Sequence, residues 1–294
     1  MRRRWGMDKS KLKKILVGEL SVRRVVCSIV FVYACVSAVV YLFSDRMIFI
    51  GRGSGYGEGQ EIIKITARDG TKLAGIYLEE PNSEFTILYS HGNGEDIGDL
   101  RGFFEMFVDE GYSVLGYDYR GYGRSEGRAA EKNVYEDVET VYEYLVGEMN
   151  TPEEKIIAMG RSVGAAAAMH LACERDVSGL ILESAFVTAF RVMTRVPLLA
   201  FDKFRNIDKI RDVRCPVLVV HGKDDRLIPI WHGERLFKAA NEQKVSFWVE
   251  GTGHNDLSAV AGERYWEVLR EFTGVVRDEG EEAAKQAISK RPEQ

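Results

Sequence analysis

The segment that most constrains this chain is Gly160-Arg161-Ser162-Val163-Gly164. It directly follows the apolar run Ile156-Ile157-Ala158-Met159 and opens an alanine-rich helical stretch, Ala165 to Cys173. Strand, G-x-S-x-G, helix is the context of a nucleophile elbow, a strained turn that lifts a serine hydroxyl out at the carboxyl edge of a sheet. The flanking glycines leave room for that turn. Five such residues recur by chance, so the weight rests on what surrounds them. In this context they name both a fold and a chemistry.

The rest of the chain supplies the sheet. Glu61 to Ala67 and Lys72 to Glu79 read as strands joined at Asp69-Gly70, a hairpin signal. Phe85 to Ser90 is a β-rich run ending in His91-Gly92-Asn93-Gly94, and Asp96 to Glu110 has helical spacing, with Ile97, Leu100, Phe103, Phe104 and Phe107 on one face. Strands follow at Tyr112 to Tyr117, at the elbow, and at Gly179 to Leu182, Pro216 to Val220 and Lys244 to Val249, with helical segments between them. A hairpin followed by alternating strands and helices predicts a sheet whose later strands are parallel. The length, 294 residues, suits one such domain with additions.

The additions lie at the ends. Residues 1–24 carry nine Lys/Arg and two Asp/Glu, a local +7, which leaves −12 for the remainder of a chain whose net charge is −5. A body of that sign should not attract nucleic acid. Val25 to Phe43 is 19 residues without a charge, about 28 Å as a helix and close to the hydrocarbon thickness of a bilayer. We expect a transmembrane signal-anchor at 25–43, behind the basic segment 1–24. The competing readings are a buried soluble helix and a cleaved signal peptide, for which Val36-Ser37-Ala38 supplies small residues. The apolar run exceeds the usual signal core, which favours the anchor. Excess basic charge ahead of the span puts the N-terminus in the cytosol and the domain on the non-cytoplasmic side. Residues 44–60 read as a glycine-rich linker, 61–274 as the folded domain and 275–294 as a charged, frayed tail. Cys27 and Cys35 fall in the apolar run, and Cys173 and Cys215 in the body. No C-x-x-C or Cys/His ligand spacing occurs, so no metal or cofactor is expected.

A serine hydroxyl needs a base within hydrogen-bond reach. Of five histidines, His170 sits among alanines on the elbow helix and reads as packed, and His232 opens a helix and reads as exposed or capping. His91 and His221 each end a strand before a glycine and read as structural. His254 lies in Gly251-Thr252-Gly253-His254-Asn255-Asp256, between the last strand and the last helix, which gives the chain order serine, acid, histidine. The carboxylate that fixes the imidazole tautomer has three candidates: Asp224 and Asp225 after one strand, and Glu183 at the end of the preceding one. The oxyanion of a tetrahedral intermediate needs two N–H donors. Val163 offers one at a helix N-terminus, and Asn93 offers the other from the small-residue loop after the third strand.

Taken together, Ser90-His91-Gly92-Asn93, Asp118-Tyr119-Arg120-Gly121-Tyr122-Gly123-Arg124-Ser125, Gly160-Arg161-Ser162-Val163-Gly164, His221-Gly222-Lys223-Asp224-Asp225 and Gly253-His254-Asn255-Asp256 resemble the α/β-hydrolase superfamily. More narrowly they are similar to its membrane-associated branch, which includes the animal protein depalmitoylases. The resemblance covers about residues 45–273. It implies an α/β-hydrolase fold: a mostly parallel eight-stranded sheet with helices on both faces and a short lid at 185–214, here preceded by one N-terminal transmembrane helix. It implies Ser162 as nucleophile, His254 as base and Asp225 as acid, the fifth position of the His-Gly motif. Arg120-Gly121-Tyr122-Gly123 is similar to a structural turn of the family. The departure is the N-terminus, which is cysteine-rich and lipidated in the animal depalmitoylases but basic and span-like here, so substrate and compartment do not carry over.

About thirty residues separate the strand near Glu183 from that starting at Pro216, room for a helix and a small flap but not a cap domain. A shallow cover over an apolar rim suits an acyl-ester, thioester or lipid-like substrate. A serine aminopeptidase activity and a non-catalytic, membrane-tethered binding protein are the alternatives. Arg161, beside the nucleophile, either attracts an anionic group or forms a salt bridge. Oligomeric state is not legible.

Overall fold

The computed structural model describes residues 21–51, 53–57, 61–241 and 243–289, with side chains up to residue 280. Most of the basic segment, residues 1–20, lies outside them, as do residues 58–60 of the expected linker and the last five residues of the tail. The chain divides into two compact units, Met1–Ser44 and Asp45–Gln294. The first helix, α1, runs Val22–Ile48, about 40 Å at 1.5 Å per residue. It is the one helix among the described residues long and apolar enough to cross a membrane, and none of its apolar window is buried in protein.

The second unit is built on eight strands: β1 Ile63–Thr66, β2 Lys72–Leu78, β3 Thr86–Ser90, β4 Ser113–Tyr117, β5 Ile156–Arg161, β6 Gly179–Glu183, β7 Val217–Gly222 and β8 Lys244–Val249. Their order across the sheet is β1-β2-β4-β3-β5-β6-β7-β8. β1 and β2 are antiparallel, β2 meets β4 antiparallel, and the pairings from β4 to β8 are parallel. The longer helices are α2 Arg101–Asp109, α3 Glu131–Gly147, α4 Val163–Glu174, α5 Trp231–Ala239 and α6 Glu263–Ser289.

Alternation along the central strands decides which helix lies where. Leu88, Leu115, Ala158, Leu180, Leu182, Val217 and Val219 face one cluster with Val138, Val141 and Leu145 of α3, the alanines of α4 and Leu236 of α5. Their neighbours Ile87, Tyr89, Val114, Ile157, Met159, Ile181 and Leu218 face the other, with Phe104 and Phe107 of α2 and Trp266, Leu269 and Phe272 of α6. Period-two strands buried on both faces thus require helices on both sides. Each large side chain buried this way contributes about 1.5–3 kcal/mol.

The chain departs from the sequence expectation in four places. Helix α2 starts at Arg101, not Asp96, because Asp96 takes the N–H groups of Gly98 and Asp99 (3.0 and 3.2 Å) and Gly55 (2.5 Å), holding its segment in a turn. The segment expected as a linker at 44–60 is packed over much of its length: Phe49 is buried against Tyr122 and Phe204, and the buried Tyr56 donates its hydroxyl to Asp118 at 2.5 Å. The segment expected to fray at 275–294 is helical as far as Ser289. There Glu281-Glu282-Ala283-Ala284-Lys285 are good helix formers that simply extend α6. His232, expected exposed or capping, is fully buried, and its Nδ1 accepts the Val187 N–H at 3.2 Å.

Candidate active site

In this strand order the chain runs from β3 outward to β4 and then crosses back to β5 on the other side of β3. That reversal opens a crevice beyond the carboxyl ends of β3 and β5, where ligands bind in open α/β sheets. Ser90 is in register with Gly160, Arg161 with Glu183, and Glu183 with Val220. The carboxyl ends of β3, β5, β6 and β7 therefore lie side by side, with Glu183 ending β6 and Asn93, Ser162 and Asp225 in the loops after the other three.

Ser162 caps α4 with φ 56° and ψ −115°, a left-handed conformation that costs a non-glycine residue about 1–3 kcal/mol. Its N–H is held by the Glu183 carbonyl at 2.9 Å. Gly164 packs directly on β3: a Cβ there would lie 2.6 Å from the His91 carbonyl oxygen and closer still to that of Ser90. Val163 is the first residue of α4, so its N–H is one of the unpaired donors at a helix N-terminus and points the helix dipole's positive end at the site.

The base candidate and one of the three acid candidates meet. His254 Nδ1 lies 2.7 Å from Asp225 Oδ2, while Asp225 Oδ1 accepts the N–H groups of Leu227 (2.9 Å) and Ile228 (2.8 Å). Burial alone would raise the Asp225 carboxyl. The His254 hydrogen bond, the Ile228 N–H and the nearby imidazoles outweigh it and hold the group below its ordinary value. Asp224, by contrast, is exposed. Glu183 is buried and lines the same small cavity as His254, with its carboxyl raised by burial despite the opposing Arg161 charge. No hydrogen bond between Ser162 Oγ and His254 occurs among the described residues, a separation usual in unliganded serine sites.

His91 and His221 are structural, as expected. His221 Nε2 donates to the Ile228 carbonyl at 2.7 Å, fixing the loop that carries Asp225. His91 is fully buried between the rings of Tyr119 and Tyr122, and burial lowers it to about 4. Arg161 pairs with Glu95, whose other oxygen accepts the Gly92 N–H at 3.1 Å. Sequence reasoning missed Glu95. Its place three residues after Gly92 was the only local signal. The Asn93 side chain is also engaged: Oδ1 accepts the Tyr122 hydroxyl (2.5 Å) and the Ile50 N–H (3.0 Å), and Nδ2 donates to the Ile48 carbonyl (2.6 Å). Among the described residues the Asn93 N–H makes no hydrogen bond.

A cavity of about 130 Å³ adjoins His254, lined by Leu100, Phe103, Arg161, Glu183, Leu257 and Ser258. A larger one, about 430 Å³, lies elsewhere, among Arg68, Arg120, Glu136, Glu139, Glu143 and Arg175. Its charges pair with one another, Arg68 with Glu143 and Arg175 with Glu139 and Glu143, and it contains no nucleophile beside a base. The smaller cavity is the one that His254 and Glu183 line. No group of His, Cys, Asp or Glu able to hold a metal ion is present among the described residues.

Known proteins resemble the chain at both levels. The family model of serine aminopeptidase, S33, matches residues 81–206. Alpha/beta hydrolase domain-containing protein aho-3 of Caenorhabditis elegans is 38% identical over 195 residues, 65% of this chain and 58% of that protein. Alpha/beta hydrolase domain-containing protein 17B of Homo sapiens is 34% identical over 207 residues, 69% of this chain and 71% of that protein. The chain thus spans little more than half of the nematode relative's length. Among solved structures, the Pyrococcus furiosus esterase Pf2001 superposes with a TM-score of 0.64 at 20% identity, covering 76% of this chain and 98% of its own. Est1E of Butyrivibrio proteoclasticus, solved with ferulic acid, gives 0.60 at 21%, covering 72% and 99%. With the sheet order, the switch point and these sequence relatives in agreement, the chain belongs to the α/β-hydrolase superfamily.

Proposed function

We propose that this hydrolase cleaves carboxylic ester or thioester bonds of acyl or lipid-like substrates, with Ser162 as nucleophile, His254 as base and Asp225 as acid. The observation that carries the reading is the His254–Asp225 hydrogen bond at 2.7 Å, formed at the carboxyl edge where a strained Ser162 caps α4. Asp225 keeps the proton of neutral His254 on Nδ1, leaving Nε2 free to accept the Ser162 proton. Oγ then bonds to the acyl carbon, and the N–H groups of Val163 and Asn93 receive the oxyanion. As the carbon–oxygen or carbon–sulfur bond breaks, Nε2 returns the proton to the leaving alcohol or thiol. Water, activated by the same imidazole, releases the acid and restores the serine.

The flap between β6 and β7 supports an acyl substrate. It contains two short turns of helix, Ala189–Met193 and Asn206–Lys209, and exposes Met193, Val196 and Leu198. Helix α1 supports membrane attachment, and the basic excess ahead of it supports a domain on the non-cytoplasmic side. The match to a serine aminopeptidase model favours amide hydrolysis as a second reading.

The test is a panel on the full chain in detergent: p-nitrophenyl esters of increasing acyl length, acyl-thioesters and aminoacyl amides. Ester or thioester turnover that Ser162→Ala abolishes, together with covalent fluorophosphonate labelling of the wild type alone, is the expected result. Turnover of the amides only would transfer the assignment to the second reading, and labelling that survives Ser162→Ala would refute the nucleophile.

A further inference from the structure

We propose that the residues at the end of the apolar helix and just after it, Ile48-Phe49-Ile50, are part of the catalytic apparatus: through the Asn93 side chain they position the loop whose N–H receives the oxyanion. The proposal rests on the serine-hydrolase reading above and adds positioning residues to it. Asn93 sits at the middle of the loop after β3, and its side chain turns away from the crevice toward a segment more than forty positions earlier in the chain. There its carboxamide bridges the backbone on both sides of Phe49, donating to the Ile48 carbonyl at 2.6 Å and accepting from the Ile50 N–H at 3.0 Å. A third bond, from the Tyr122 hydroxyl at 2.5 Å, comes from the turn after β4 and shares the same Oδ1.

An amide that pairs both its oxygen and its nitrogen with opposite backbone groups admits one orientation, and that orientation fixes the loop's backbone. The anchor on the other side is firm. Phe49 is buried, edge-on to Tyr122 at 6.4 Å and to Phe204 at 5.9 Å. Asp45 accepts the Glu131 N–H at 3.3 Å and pairs with Lys203 at 3.1 Å. The segment is therefore pinned at Asp45, at Phe49 and at Asn93. A donor contributes to an oxyanion hole only where it is held in place before the charge develops. The opposite flank of the same loop is fixed separately by Glu95, which accepts the Gly92 N–H at 3.1 Å and pairs with Arg161, so the Asn93 bridge completes the restraint.

This arrangement gives Tyr122 a task. The turn Arg120-Gly121-Tyr122-Gly123, structural by family resemblance, delivers the hydroxyl that orients Asn93. It also makes the segment at the end of α1 a component of turnover as well as a tether.

The experiment uses the full chain in detergent, with Asn93→Ala and Tyr122→Phe. Steady-state kinetics on p-nitrophenyl butyrate are compared with the inhibition constant of an alkyl trifluoromethyl ketone, whose hemiketal oxyanion mimics the intermediate. Loss of one oxyanion donor outright costs about 10²–10³ in kcat. A displaced donor should cost less, roughly 10- to 100-fold in Asn93→Ala and a few-fold in Tyr122→Phe. KM and melting temperature should stay near wild type, and the ketone's inhibition constant should rise by the same factor as kcat falls. Wild-type kcat in Asn93→Ala and Tyr122→Phe would overturn the proposal, as would a loss of kcat with no change in ketone binding. A wild-type chain that neither turns over esters nor takes the fluorophosphonate would instead remove the serine-hydrolase reading on which this one stands.

Discussion

Replacing Asp225 by asparagine isolates what the carboxylate does from the space it fills. Oδ1 accepts two backbone N–H groups, from Leu227 at 2.9 Å and Ile228 at 2.8 Å. In Asp225→Asn the carboxamide oxygen must take that place, since an NH₂ group there would face two donors. The NH₂ is then forced toward His254 Nδ1, where the carboxylate oxygen stood at 2.7 Å. Nδ1 becomes an acceptor and the imidazole proton moves to Nε2, the atom that must be free to accept from Ser162. The same substitution in a serine protease lowers kcat about 10⁴-fold, or roughly 5.4 kcal/mol of barrier at 1.36 kcal/mol per tenfold. Folding should change far less, because the side chain keeps its volume and both backbone bonds. Asp224→Asn, at an exposed position, should stay within about threefold of wild type, in line with ordinary surface substitutions. The assay is kcat for p-nitrophenyl butyrate on the full chain, with melting temperatures alongside. An Asp225→Asn protein that folds and retains a tenth of wild-type turnover would refute the tautomer argument and direct attention to Glu183.

Gly164→Ala should damage folding, because its Cβ meets the Ser90 and His91 carbonyls, backbone that cannot rotate away. A cost of about 1–3 kcal/mol or more is expected, read as a fall in melting temperature and in recovered protein, and an unchanged melting temperature would contradict the packing. The Asp118 carboxyl is raised to about 6, chiefly by burial, with the Tyr56 hydroxyl and Ile97 N–H opposing. A folded value above the ordinary 3.8 means the native state binds the proton more tightly, so this contribution is complete below about pH 4 and lost as pH rises through about 6. Melting temperatures should accordingly move in favour of the wild type over Asp118→Asn on going from pH 7.5 to pH 5, and a constant gap would count against it. Protease added to sealed vesicles oriented cytoplasmic side out should spare the hydrolase domain until detergent is added, with a lumenal control protein verifying orientation. Digestion before detergent is added would reverse the proposed topology.

The sequence showed most plainly what is local. The elbow, the Asp69-Gly70 hairpin and strand β8 need only a few consecutive residues to declare themselves, and β8 was bounded at Lys244 and Val249. It carried no direct trace of β4 lying between β2 and β3, because strand order is set by which edges meet and not by any periodicity. His232 reads as exposed or capping because it opens a helix, yet it is buried and accepts the Val187 N–H of the flap. Phe49 and Tyr56 read as linker because one lies between the apolar run and Gly51 and the other between Gly55 and Gly57. Their partners, Phe204 and Asp118, lie 155 and 62 positions away. Asn93 was legible as an oxyanion candidate from its place after β3, but the engagement of its side chain by Ile48 and Ile50 was not.

Backbone touches backbone at two points in this site. Gly164 rests on the carbonyls of Ser90 and His91, and Gly222 on those of Thr252 and Gly253, where a Cβ would come within 2.5 and 2.6 Å. The first contact joins the helix that Ser162 caps to the loop of Asn93; the second joins the strand before Asp225 to the loop of His254. Alignment of the reacting groups therefore depends little on the side chains that line the crevice. Leu100, Phe103, Leu257 and the flap residues Met193, Val196 and Leu198 can change size or polarity while those two contacts stand. A chain built this way can exchange one proposed substrate for another by substitutions around the rim, whereas a side chain added to the glycine at either crossing would push apart the segments that carry the reacting groups.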